Sequence, residues 1–203
     1  GKIAVLVDVA GATGEAAKTQ PRMILATLGF ALATVRYAAD SLARGNASLA
    51  WGFVRLFLRW QLLSTAIVTA TALPLVLWAA PADLRWPFVA LLLALFPATA
   101  ETVYTNALYG AQRYDLTARN STLKMTLHLL AATAAVVMGG DLLGIVLGMT
   151  AGTVVSLILQ RGRVRALYPS AETGDVPAAM MPEVYGFLVP LAMVVVLDAL
   201  VWD

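Results

Sequence analysis

Long apolar runs and short polar breaks alternate along most of the chain. Met23 to Val35 is apolar for about 13 residues. At 1.5 Å per residue that is about 20 Å, short of a 30 Å bilayer core, so it reads as the last part of a span. It ends in Arg36-Tyr37 and a polar connection, AADSLARGNAS, of helical character. Phe53 to Ala80 is the first full span, with Arg55 and Arg59 in its first turns, Trp60 at the interface and Pro74 placed to kink it. Pro81 to Arg85 is a tight turn before a third run, Trp86 to Gly110. Leu116 to Met138 is the next helix, with Asp115 as its expected N-cap. Gly139-Gly140-Asp141 is a very short turn. Leu142 to Leu159 follows, ended by Arg161, Arg163 and Arg165. Tyr168 to Pro182 is a hydrophilic, proline-bearing linker. Helical character resumes near Pro182-Glu183, and Tyr185 to Trp202 is the last run, interrupted by Pro190.

The predicted fold is therefore all-α: a polytopic transmembrane helix bundle of five to six spans, near 23–38, 53–80, 86–110, 116–138, 142–160 and 183–203. Residues 1–22 do not fit it. They mix a short apolar run with Asp8, Glu15, Lys18 and Arg22, and lack the flanks of a signal peptide. The stretch GATGEAAKT lacks the spacing of a phosphate-binding loop. This segment is expected to be irregular and outside the membrane, or misread sequence. The chain starts without Met and stops at Asp203 within an apolar run, which reads as part of a larger protein or an incomplete gene model.

Composition sharpens this picture. Only 13% of residues are charged, against about 25% in soluble domains, and mean hydropathy is +0.79. No cysteine and a single histidine leave no thiolate or multi-histidine metal site. No nucleophile–base pair is apparent, so no enzyme, cofactor, metal or nucleic-acid partner is expected. Basic residues crowd one side. Ten flank the connections near 45, 115 and 165, against Arg85 alone at the turns near 83 and 140. By the positive-inside rule the first set is cytoplasmic. Lys18 and Arg22 break the pattern.

Candidate chemistry lies inside the spans. Wound at about 100° per residue, Thr99, Glu101, Thr102, Thr105 and Asn106 share one half of the third run, and Phe96, Ala100, Val103, Tyr104 and Ala107 the other. The polar half should face helices or water, because hydrocarbon offers no partners. An ionisable residue in a span is by default a functional candidate, though Glu101 could equally meet water or a basic neighbour near the interface. On the next helix Thr117, Ser121, Lys124 and His128 fall on one face, continued by Ala131 and Ala135. Lys124 could instead snorkel to the interface, and His128 bond a neighbouring carbonyl. Gly144, Gly148 and Gly152 recur at i+4 and predict close helix approach. Asp198 lies deep in the last run.

The segments LGFALATVRYAADSLARGN, ALYGAQRYDLTARN and YGFLVPLAMVVVLDALVWD together resemble the Wzx-type polysaccharide flippases, of the multidrug/oligosaccharidyl-lipid/polysaccharide exporter superfamily. The similarity runs from about Ile24 to Asp203. It places the chain in the N-terminal half of a two-halved transporter of 12–14 spans that alternates access around a cavity between its halves. The implied substrate is an undecaprenyl-diphosphate-linked oligosaccharide, flipped across the bacterial cytoplasmic membrane for surface polysaccharide such as lipopolysaccharide O-antigen. Membrane lipid, a glycan polymerase and glycosyltransferases are the implied partners. A diphosphate needs cations, which makes Arg55, Arg59, Lys124 and His128 the expected substrate-binding residues. A carboxylate in a dry site can titrate, which makes Glu101 and Asp198 the expected ion-coupling residues. The alternatives are a multidrug exporter of the same superfamily, which would favour the carboxylates, and a membrane fragment that transports nothing.

Overall fold

The computed structural model describes residues 30–168 and 175–189. Among them every regular element is helical: α1 (Phe30–Ala43), α2 (Ala47–Ala79), α3 (Ala82–Gly110), α4 (Tyr114–Val137), α5 (Leu142–Leu167) and α6 (Ala178–Val189), whose first turn is a 3₁₀ turn. Three of them, α2, α3 and α5, are long and apolar enough to cross a membrane, at 33, 29 and 26 residues. A bundle of this kind belongs in a bilayer. The spans predicted near 53–80, 86–110, 116–138 and 142–160 lie on α2 to α5, but α4 falls short of that measure, because Arg119, Lys124 and His128 interrupt it among hydroxyls. The segments 1–22 and 190–203, with Asp198, lie outside the described residues.

Helix ends correct several predicted boundaries. The polar AADSLA stretch remains helical to Ala43, and α2 begins at Ala47, six residues before the predicted start. Asn46 caps it, its side-chain oxygen accepting from the Leu49 N–H at 3.0 Å. Arg55 and Arg59 therefore stand in the third and fourth turns of α2, not the first. The predicted N-cap of α4 also shifts. Arg113 takes the cap position without a side-chain cap bond, and Asp115, within the first turn, binds the Arg113 guanidinium instead at 3.0 and 3.1 Å. A carboxylate there still meets the positive end of the helix dipole. Pro74, Pro87 and Pro97 are absorbed inside α2 and α3 without ending them.

Three helices stop in the same way. After α1, Gly45 and Asn46 donate to Leu42 and Ser41; after α3, Gln112 and Arg113 to Tyr109 and Leu108; after α4, Gly139 and Gly140 to Val136 and Ala135. This paired closure requires a left-handed residue. Gly45 and Gly139 supply it at φ +72° and +71°, whereas Gln112 adopts φ +58° with a side chain.

α3 is the hub, packed against α1, α2, α4 and α5. Its predicted polar half is indeed buried at Thr99, Glu101 and Asn106, but so is the lower part of the opposite half. Val103, Tyr104, Ala107 and Leu108 pack with Ala50, Trp51 and Val54 of α2 and with Val164 and Tyr168. A second cluster joins α1, α2 and α6. Tyr37 stacks on Phe53 at 4.8 Å and meets Phe187 edge-on at 6.0 Å, and its hydroxyl donates to the Glu183 carbonyl at 3.4 Å. Elsewhere large apolar side chains of α2 and α4, Leu75, Trp78, Leu129 and Val137 among them, are exposed, as lipid-facing residues are.

Candidate functional site

The α3–α5 seam carries a cavity on each flank. The larger, of about 530 Å³, lies between α2, α3 and α5 and is lined by Trp51, Arg55, Leu58, Arg59, Tyr104, Arg161 and Arg165. Helical spacing explains the set. Trp51, Arg55 and Arg59 are spaced i, i+4, i+8 on α2, and Arg161 and Arg165 are i, i+4 on α5, so each trio or pair shares one face. Arg163, two residues out of step, points the other way. Its guanidinium donates to the Asn120 side-chain oxygen and to the Leu116 carbonyl on α4. Four guanidiniums thus converge above an aromatic floor of buried Trp51 and Tyr104, whose rings stack at 6.5 Å. Among the described residues none of the four forms an ion pair, and no carboxylate lines the cavity. Like charges at i, i+4 repel, so the cluster is a cost to the fold that a bound anion would offset. Such planar donors match phosphate oxygens bidentately.

The smaller cavity, of about 220 Å³, lies between α3, α4 and α5 and is lined by Glu101, Thr102, Thr105, Tyr109, Thr117, Ser121, Lys124 and Gln160. Here the charges are answered. The Lys124 ammonium donates to Glu101 Oε2 at 2.6 Å, while Oε1 accepts from Ser156 at 2.8 Å and from Gln160 at 3.4 Å. Gln160 in turn accepts from Thr105 at 3.0 Å. The Glu101 side chain is only 7% exposed and that of Lys124 29%. A buried carboxylate is tolerable on these terms, paired and hydrogen-bonded on both oxygens.

Above this pair the α4 stripe meets the α5 glycines. His128 Nε2 lies 3.1 Å from the Thr153 hydroxyl, which itself donates to the Met149 carbonyl at 3.2 Å. A Cβ at Gly152 would come within 2.8 Å of the His128 ring, and one at Gly148 within 3.0 Å of the Ala131 methyl. The predicted small-residue ridge is therefore the α4–α5 contact. On α2 and α3, Thr65 and Thr99 share a hydrogen bond at 3.0 Å, a polar link between helices at membrane depth.

The expected site residues thus part company. Arg55 and Arg59 line the larger cavity, Lys124 and Glu101 bind each other in the smaller one, and His128 packs between α4 and α5. Arg161 and Arg165 were missing from the expected set. Their spacing with each other was available in the sequence, but a run of arginines after an apolar segment reads first as a membrane flank. Neither a known protein family, nor a curated protein, nor a solved structure matches the chain.

Proposed function

We propose that the chain is part of a membrane transporter that moves a lipid-linked oligosaccharide, carried on an undecaprenyl diphosphate, between leaflets of the bacterial cytoplasmic membrane, with its basic end toward the cytoplasm. The observation that carries this reading is the four-arginine cavity. It offers planar donors that form no ion pair among the described residues, beside exposed apolar helices, which suits a phosphate head on a hydrocarbon tail. The arginines lie at the end of the bundle where the basic connections gather, as uptake from the inner leaflet requires. Glycan polymerase and glycosyltransferases would be its partners in surface polysaccharide synthesis. A multidrug exporter of organic cations is less well supported, because such cargo needs an available carboxylate and Glu101 already binds Lys124, Ser156 and Gln160. Ion coupling at Glu101 would first require Lys124 to leave.

The test is flipping of a fluorescent lipid-linked oligosaccharide by the intact protein in vesicles, read by quenching at the outer face. The Arg55→Gln, Arg59→Gln double variant should slow it at least about tenfold, the equivalent of about 1.4 kcal/mol. Flipping at the unaltered rate would sink the reading.

A further inference from the structure

Arg163 stands between Arg161 and Arg165 in sequence, yet only its two neighbours line the larger cavity. At 3.6 residues per turn the helix directs Arg163 about 200° away from each of them. Its guanidinium is spent on α4, donating to the Asn120 side-chain oxygen and to the Leu116 carbonyl. We infer that Asn120 is a positioning residue for the arginine cavity: by holding Arg163 it fixes the roll of the last turns of α5, and that roll turns Arg161 and Arg165 toward α2. The role rests on the reading of the arginine cavity as an anion site, but Asn120 itself lines neither cavity.

Burial comes first. Asn120 is 1% exposed, and Thr117 and Asn120 are the buried side chains of α4. At the other end of the α4–α5 contact, Gly148 and Gly152 already press on Ala131 and His128. The Asn120–Arg163 link therefore ties the two helices together at their basic end. The amide is also unbalanced. A guanidinium carries donors only, so the oxygen must face it. The Asn120 Nδ2 is then left buried without a hydrogen-bond partner among the described residues. An open buried donor is a cost to the fold, and the oxygen's hold on Arg163 is what that orientation secures. Arg163 in turn has no carboxylate partner among the described residues. Two dipoles, four residues apart on α4, direct its charge without cancelling it. On the α3 side, Gln160 accepts from Thr105 and donates to Glu101. With α5 held from α4 and from α3, the face carrying Arg161 and Arg165 is the one left toward α2. Those two arginines share a face, so any roll of α5 moves both, and bidentate contacts to an anion depend on direction.

The chain has no cysteine, so introduced cysteines can read the roll of α5 directly. In the intact protein carrying Arg59→Cys and Arg161→Cys, a short bismaleimide should join the two across the cavity. Adding Asn120→Leu, which keeps bulk and removes the acceptor, should lower the yield several-fold. Asn120→Asp, of the same shape and with an oxygen for Arg163, should preserve it. In the protein with its arginines intact, Asn120→Leu should weaken binding of farnesyl diphosphate about fivefold, and Asn120→Asp should restore it. The loss should persist in an Arg55→Gln, Arg59→Gln background and disappear in an Arg161→Gln, Arg165→Gln background, a pattern that general destabilisation does not produce. Cross-linking unaffected by Asn120→Leu in proteins that retain their helical circular dichroism would overturn the assignment. So would a binding loss of equal size in both arginine-depleted backgrounds. A parent that binds no farnesyl diphosphate while its cross-link still depends on Asn120 would sink the anion reading alone, with the hold of Asn120 on α5 upheld.

Discussion

The two cavities share the walls of α3 and α5 and differ in whether their charges are answered. In the smaller one a lysine and a glutamate from different helices meet, and further hydrogen bonds complete the carboxylate. In the larger one four arginines from two helices meet with no carboxylate among them. Charges that satisfy each other hold helices together; on the reading proposed above, charges left open are free to take a ligand. The difference teaches that an ionisable residue in a membrane helix cannot be assigned a role until its neighbours are known. Lys124 and Arg59 look alike in sequence, and among the described residues only Lys124 has its charge answered.

That contrast can be broken most forcefully at Lys124. Lys124→Ala strands the Glu101 carboxylate in a buried position and should destabilise the protein by about 2–3 kcal/mol, toward the low end for broken buried pairs because Lys124 is partly exposed. Adding Glu101→Gln should recover most of the loss, and an unfolding titration of the three variants in bicelles reads it. Gly152→Leu drives a side chain into the His128 ring, already 2.8 Å from where a Cβ would stand. About 2 kcal/mol of destabilisation should follow, from the overpacked α4–α5 seam. Gln112→Gly works in the other direction. Relieving a left-handed glutamine at φ +58° should stabilise by about 1 kcal/mol, visible as a higher Tm. Arg59→Gln should leave stability within about 0.5 kcal/mol, because an exposed arginine with no ion pair among the described residues contributes little to the fold. The same change should weaken anion binding, which is the sharpest contrast with Lys124.

The smallest effect concerns pH. The hydrogen-bonded Arg113 guanidinium holds the Asp115 carboxyl below its ordinary value. A carboxyl lowered in the folded state stabilises above its unfolded pKa, and that contribution is lost as pH falls through the folded value. Asp115 is exposed, so Asp115→Asn should change Tm barely at neutral pH, and any difference from the parent should shrink as the pH falls below about 4.

Much of the bundle was legible because apolar runs and glycine turns are local signals. The runs located α2, α3 and α5, and the Gly139-Gly140-Asp141 turn sits where it was expected. The N-terminus of α2 was missed because residues 47–52 lie outside the apolar run, although Asn46 carried a capping signal. The α4 stripe and the α5 glycines were each visible, but their mutual contact was not, since periodicity shows a face and not what it faces. The Glu101–Lys124 pair joins residues 23 apart across two helices. The arginine cavity joins α2 to α5, more than a hundred positions away. No local pattern fixes such partners; helix packing does.

The most direct measurement is equilibrium binding of a short isoprenyl diphosphate, farnesyl diphosphate, to the intact purified protein and to the variant with Arg55, Arg59, Arg161 and Arg165 all changed to Gln. The parent should bind it in a manner that weakens as salt rises, the variant should lose at least tenfold in affinity, and a Lys124→Met, Glu101→Gln protein should bind as the parent does. Binding that survives loss of the four arginines, or that disappears with the Lys124–Glu101 pair alone, would contradict the division of labour between the two cavities.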